Sequence, residues 1–363
     1  MIGKIICDLA PSADNNRNSE GAFTTLKDGK ILFVYSRYGG DGFDDGCSAD
    51  LYGVISADDG RSFSEPFPVL SHAQVKADNV MSVSFLPMEN GDLGMFYLAK
   101  RDADQCLLHL VRSADEGKTW SEPVVCIGQS GYYVVNNDRV IRLKNGRILV
   151  PAALHGSGCE VRDGKKVLTR LDPGVLNIFA SDDDGRTWKA MTDDVVLPQC
   201  AGCTTGVQEP GMIQLEDGKV WCVIRNDSGR QYETFSSDDG CTWTKPLPSR
   251  FTSAVSPMTL RRLSDGRILA VWNPIPLYNG RSAHTGHFWH GGRSPLVIAV
   301  SEDDGKTFGP HKVLETDEDS GYCYIAIHET ADGSVLLGYC AGGPGDGCCL
   351  NRLRLRRIER EEL

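Results

Sequence analysis

The sequence predicts an all-β fold: a six-bladed β-propeller with four antiparallel strands per blade, filling residues 1–363 as a single domain. Three observations point there. Six times, two short apolar runs flank an Asp-Gly or Asn-Gly pair, the strongest short hairpin signal. Five times, the second run leads on to an octapeptide of pattern S-x-D-x-G-x-[ST]-[WF]. Alternating patterns dominate, and no long stretch carries the 3.6-residue period of a helix.

The elements follow in order. KIICDL near the start reads as a strand. TTLKDGKILFVY carries the first hairpin at Asp28-Gly29, and SADDGRSF (Ser56 to Phe63) is the first octapeptide. LPMENGDLGMFY turns at Asn90-Gly91 and precedes SADEGKTW; IRLKNGRILVP turns at Asn145-Gly146 and precedes SDDDGRTW. IQLEDGKVWCVI turns at Asp217-Gly218 before SSDDGCTW, and LRRLSDGRILAVW at Asp265-Gly266 before SEDDGKTF. The sixth unit, HETADGSVLLGY around Asp332-Gly333, has no octapeptide and ends in the strand-like LNRLRLRRIE. One terminus is expected to complete the other's blade, since closing the ring removes exposed sheet edges. Both residues of each Asx-Gly pair are expected at positive φ. In each octapeptide the Asp accepts turn N–H groups, the Gly takes a conformation other residues avoid, and the Trp or Phe packs into the sheet layer. The repeat therefore builds structure and performs no chemistry.

Composition narrows the function. Hydrophobic residues make up 40% and charged residues 24%, as in an ordinary globular protein with a large core. A net charge of −11 argues against a nucleic-acid partner, whose surface would be basic. No run of about 20 apolar residues suggests a membrane partner. The start, MIGKIICDLAPSADNN, has no apolar leader, which predicts a cytoplasmic protein; a secreted protein shortened at its N-terminus would read the same way. The 13 scattered cysteines then read as free thiols. Cys200-x-x-Cys203 and Cys348-Cys349 lack zinc-ligand spacing, and His284-x-x-His287-x-x-His290 lies in a Gly-rich loop that reads better as a lid bearing Phe288 and Trp289. No metal or cofactor is expected. The oligomeric state is not legible.

The five octapeptides on a six-unit β repeat resemble the Asp-box (BNR) repeats of the sialidase, or neuraminidase, superfamily. That resemblance implies an exo-α-sialidase-like glycoside hydrolase. Its site residues are three arginines for the substrate carboxylate, a Tyr nucleophile with a Glu beside it, and an Asp acid/base. Arg17, in NNRNSEG, stands where the family's first Arg sits, although the family commonly has R-I-P there and this chain R-N-S. Glu209 and Arg225 bracket one hairpin in QEPGMIQLEDGKVWCVIRND, as the family's Glu–Arg pair does. Arg293, in GGRSP, matches the third Arg, with Arg281 as its competitor. Tyr322, in Gly321-Tyr322-Cys323-Tyr324-Ile325, matches the family's G-Y-S-D-L at Gly and Tyr but not at Ser or Asp. Tyr324 is expected on the same strand face. The acid/base falls among Asp41, Asp44, Asp45 and Asp50, with Asp45 preferred and Asp50 next. Asn137, Asp138 and His155 belong to the segment that lines the family's pocket and are expected to contact sugar hydroxyls.

The chemistry accounts for these residue types. Guanidinium forks bind a carboxylate bidentately and stay charged. Clustered cations ease deprotonation of a phenol, and a Glu can take its proton. A neutral phenol avoids the repulsion that a carboxylate nucleophile would meet beside the substrate's own carboxylate. The implied activity is retaining hydrolysis of terminal α-linked sialic acid, or a related nonulosonic acid, from a glycan. The alternatives are a sialidase-fold glycosidase for another acidic sugar and a non-catalytic glycan-binding propeller.

Overall fold

A computed structural model of the chain describes residues 1–39, 42, 44–162, 165–191, 195–198, 203–278 and 280–363. Apart from short 3-10 turns at Pro344–Asp346 and Arg360–Glu362, the regular structure among them is all strand. Six four-stranded units follow one another along the chain. Units 1 and 2 begin with the strands Arg17–Thr25 and Asn79–Pro87, unit 3 with Ile141–Arg142, and units 4, 5 and 6 with Gln208–Gln214, Thr259–Arg262 and Gly321–Glu329. Units 1, 4, 5 and 6 are separate sheets. Units 2 and 3 merge into one nine-stranded sheet, because the extra strand Tyr132–Val134 pairs with Ile148–His155 and also, in parallel at Tyr132↔Cys106, with Gln105–Ser113. Unit 6 is completed by the N-terminus: Lys4–Leu9 pairs with Leu353–Ile358 as its outer strand.

Strands that lie between neighbouring sheets are apolar on both faces, as Ile31–Tyr38 is. Every pair of consecutive units shares a hydrophobic cluster, such as Val34 and Leu51 of unit 1 with Val80 and Met95 of unit 2. Unit 6 shares one with unit 1, where Leu336 and Leu355 meet Phe23 and Phe33.

The hairpin turns differ from expectation in one respect. Their glycines are left-handed, from Gly333 at φ 82° to Gly266 at φ 92°, but the Asx residues before them are not. Each glycine N–H bonds back three residues, as Gly29 N does to Leu26 O at 2.9 Å. The Asx side chain instead caps the backbone two residues on: Asp28 Oδ1 accepts from Lys30 N at 3.1 Å. This is a longer turn closed by a left-handed glycine, and the Asx serves as a cap.

The octapeptides form closed hydrogen-bond knots. In the first, Asp58 accepts from Ser56 Oγ at 2.7 Å, Ser62 N at 2.9 Å and Ser62 Oγ at 2.6 Å. The Ser62 hydroxyl leads in holding the Asp58 carboxyl down at about 2, against a smaller opposing effect of burial. The residue after each motif Asp is left-handed and reaches the hairpin of the preceding unit. Asp59 accepts from Ala331 N, Glu116 from Lys27 N, Asp184 from Glu89 N, Asp239 from the Asn145 side chain and Asp304 from Glu216 N. The repeat thus clasps one unit to the next. Asp184 is the most deeply set of these, 1% exposed, and it also pairs with Arg112 at 3.2 Å and Arg142 at 2.7 Å. Asp184→Ala should lower unfolding free energy by about 3–5 kcal/mol, since it strands two partly buried arginines. Asp58→Ala, in an exposed knot, should lower it by only about 1 kcal/mol. Chemical denaturation of both variants checks the ranking.

Candidate active site

Three left-handed residues carry functional side chains to one place. Glu20 (φ 54°), Glu209 (φ 39°) and Tyr324 (φ 60°) each sit in a β-bulge of the first strand of units 1, 4 and 6. Each lies nine residues ahead of its unit's hairpin glycine, Gly29, Gly218 or Gly333. A bulge adds one residue to one strand and re-aims the side chains that follow.

Three arginines, Arg17 and Arg293 buried and Arg225 mostly so, surround these residues. Arg17 stacks on the Tyr38 ring at 4.4 Å, donates to Glu20 at 3.2 Å and Ser19 at 3.2 Å, and pairs with Asp45 at 2.8 Å. Arg225 ends its strand opposite Gln208 and donates to Glu209. Arg293 lies between the Trp289 ring at 5.0 Å and the Tyr324 ring at 5.5 Å, and its Nη1 donates to Cys323 Sγ at 3.0 Å. Lys100 Nζ holds the Asp45 carbonyl at 3.1 Å. The Asp45 side chain is 52% exposed, so it stands at the mouth of a buried charge cluster.

The electrostatics fit proton transfer. Burial pushes the Glu20 carboxyl up to about 8; Arg17 opposes this, while Asp45 and Glu209 add to it. Burial also pushes the Tyr324 phenol well above its usual range. The Glu209 charge works in the same direction, and Arg293 and Arg225 pull against both. Tyr324 is therefore a neutral phenol whose anion has two guanidinium groups ready to receive it. His155, its Nδ1 against Asp172 O at 2.9 Å, stands beside the Glu209–Arg225 pair and is kept neutral chiefly by burial.

Arg17, Glu209, Arg225, Arg293 and Asp45 thus gather at one site, with His155 at its edge. Other expected residues lie elsewhere. Tyr322 packs between units 5 and 6, its ring 6.4 Å from that of Tyr339, with its phenol pushed up to about 12 by burial and then by Glu315. Expecting alternation to carry Tyr322 and Tyr324 to one face ignored the bulge, which gives Tyr324 the position among the arginines. Asp50 pairs with His72 at 2.7 Å, away from the arginines. Asp44 caps its own loop at Gly46 N. Asp41 lies outside the described residues. Asn137 is fully buried beneath the site and donates to Gly21 O and Tyr324 O. Asp138 ties Arg261 to Ile327 N. Both are engaged in bracing the interior. Arg281 is a backbone tether to Ile275 O and Ser294 O. Sequence reasoning missed Glu20, Lys100 and Cys323. The nine-residue offset from the hairpin glycine was the signal for Glu20, and it also favours Tyr324 over Tyr322.

A model of the BNR repeat-like domain family matches residues 69–337. Over 234 residues the chain is 25% identical to a sialidase of Bacteroides fragilis, a match spanning 61% of this chain and 37% of that longer protein. Among solved structures, a Dyadobacter fermentans protein of unknown function superposes with TM-score 0.72 at 19% identity, covering 98% of this chain and 99% of that one. The NanB sialidase of Streptococcus pneumoniae gives TM-score 0.72 at 14% identity, over 100% of this chain and 71% of that one. A leech intramolecular trans-sialidase gives the same score, identity and coverage. At such identities the structural likeness speaks to the all-β fold.

The Glu20 environment has a consequence for stability. A carboxyl held protonated by the fold takes up a proton on folding, so its contribution is present below about 4.5 and is lost as pH rises through about 8. Wild-type unfolding free energy should fall across that window, relative to Glu20→Gln, by at least about 1 kcal/mol. Paired denaturant titrations at several pH values measure the difference, and parallel curves would remove Glu20 as a titrating group.

Proposed function

The chain belongs to the BNR repeat-like domain family of the sialidase superfamily, and on that footing we propose that it is a retaining exo-glycosidase that removes a terminal α-linked sialic acid, or a related nonulosonic acid, from a glycan. The six four-stranded units, with unit 6 packed on unit 1, support reading the fold as a closed six-bladed propeller whose axis passes beneath the site. One observation carries the functional reading: Tyr324 and Glu209 lie among three arginines, Arg17 and Arg293 buried and Arg225 mostly so.

Arg17, Arg225 and Arg293 bind the sugar carboxylate through charge-assisted hydrogen bonds. Tyr324 Oη attacks the anomeric carbon as its proton passes to Glu209. Asp45 leaves Arg17 to the incoming carboxylate, takes up a proton from solvent and passes it to the departing glycosidic oxygen. In the second half, Asp45 takes a proton from water, which attacks the same carbon. The Tyr324–carbon bond breaks and Glu209 returns the proton to the phenolate. Two inversions give net retention. The arginines recognise only the carboxylate, so another acidic sugar is the second reading; the R-N-S run at Arg17, in place of the family's R-I-P, favours keeping it.

Tyr324→Phe should drop turnover of an aryl sialoside to background with the melting temperature within a few degrees of wild type. Tyr322→Phe should keep most of kcat. The reverse pattern would return the nucleophile to Tyr322. Asp45→Asn should lose about 100-fold or more on sialosides with alkyl leaving groups, and far less on an aryl sialoside whose phenolate departs unprotonated. Equal losses on both substrates would take the proton-donor role from Asp45.

A further inference from the structure

Each arginine of the site has an anionic or anion-forming partner, and the third partner is unusual. Arg17 meets Glu20 and Arg225 meets Glu209, while Arg293 Nη1 meets a thiol, Cys323 Sγ, at 3.0 Å. Cys323 is part of a sulfur chain. It lies directly opposite Cys340 on the neighbouring antiparallel strand, and its sulfur shares hydrogen bonds with the Cys340 and Cys349 thiols. On the far side, Cys340 Sγ contacts Ser19 Oγ at 3.2 Å, and Ser19 Oγ accepts from Arg17 Nη2 at 3.2 Å. A continuous path, Arg293–Cys323–Cys340–Ser19–Arg17, therefore runs under the site and links two of the three arginines. Cys323, Cys340, Cys348 and Cys349 are all buried free thiols.

We infer that Cys323 is a positioning residue for Arg293 and that, with Cys340, it forms a peroxide-reactive dithiol that loosens the arginine clamp when oxidised. The inference rests on the carboxylate-binding role of the arginines. Directly opposite residues of an antiparallel pair have Cα atoms about 4.5–5.5 Å apart, within the range a disulfide spans. Burial opposes charge on Cys323, but hydrogen bonds from Cys340 and Cys349 and the Arg293 guanidinium outweigh it and hold the thiol well below its usual range. A thiolate is the reactive form.

The step balances with hydrogen peroxide as oxidant. The Cys323 thiolate attacks one peroxide oxygen and breaks the O–O bond; the hydroxide released takes a proton and leaves as water, and Cys323 becomes a sulfenic acid. The Cys340 sulfur then attacks the Cys323 sulfur and expels the hydroxyl group, which leaves with the Cys340 proton as a second water. Two thiols lose two electrons, and one peroxide becomes two waters. The Cys323 sulfur, now bonded at about 2.05 Å to Cys340, no longer accepts from Arg293.

The test uses the full chain. Protein is treated with peroxide, free thiols are capped with N-ethylmaleimide, and disulfides are mapped by peptide mass spectrometry. A Cys323–Cys340 link is expected. It should raise KM for a sialoside at least tenfold, with a smaller change in kcat, and dithiothreitol should reverse the change. Cys340→Ser should keep its starting KM after peroxide. Cys323→Ser should show a raised KM without any treatment, and no further rise with it. The absence of a Cys323–Cys340 link, or an equal rise of KM in Cys340→Ser, would overturn the proposal. The disulfide map needs no turnover. A chain that forms the link but cleaves no sialoside would count against the glycosidase reading and leave the dithiol standing.

Discussion

The site depends on a backbone conformation that ordinary side chains avoid. Glu20, Glu209 and Tyr324 are left-handed, a state that costs on the order of 1–3 kcal/mol for each such residue. Without it, the alternation of a strand would turn these side chains into the packing between sheets. The surrounding structure holds the conformation in place. Asn137, from unit 3, takes the carbonyls of both Gly21 and Tyr324, and so braces the bulges of units 1 and 6 across the interior. Thr259, from unit 5, takes the carbonyl of Ile325 and receives Arg139. Unit 5, like unit 3, has no bulge in its first strand. A proline, Pro257, stands nine residues before its hairpin glycine, and its ring fixes φ at a negative value.

Charge balance is the second constraint. Guanidinium groups as buried as Arg17 and Arg293, each 2% exposed, need partners that offset the loss of water. Those partners must also yield to a ligand. Asp45 suits this because it stands half exposed on a loop, whereas Glu20 and Glu209 are fixed in strands. The site in its resting form is therefore a set of charge-assisted hydrogen bonds with one exchangeable member. An arriving carboxylate takes over a contact already formed, and no charge is left bare during the exchange.

The fold was legible because its signals are local and repeated. Six Asx-Gly turns and five octapeptides announce the hairpins, and the shared sheet of the two termini follows from the strand-like ends. Arg17, Glu209, Arg225 and Arg293 were legible because each lies at a fixed place relative to a hairpin or strand. Where expectation and structure part, the cause is tertiary. Assigning Tyr322 assumed unbroken alternation, and nothing in G-Y-C-Y-I marks which residue turns left-handed. Assigning Asn137 and Asp138 to a sugar overlooked that an interior lined by bulges has carbonyls and N–H groups of its own to satisfy. Asp50, the second candidate for the acid/base, lies on a strand and pairs with His72. Cys323 had no signal at all, since its role exists only through the strand opposite.

The seam between the first and last units bears on how the protein reaches its native state. Lys4–Leu9 hydrogen-bonds to Leu353–Ile358, and Asp59 clasps the turn at Ala331 and Asp332. During synthesis Lys4–Leu9 emerges ahead of the other described strands and Leu353–Ile358 after all of them. Between those two moments the first strand has no ladder to join, and the edge of unit 1 that will meet unit 6 stays uncovered. Units 1 to 5 can form as a growing arc, each clasped to the one before, but Arg17 and Tyr324 meet only when the arc shuts. The arginine cluster would then be completed in a single late step, and a nascent chain short of Leu353–Ile358 would be an open sheet stack, exposed to pairing with its neighbours.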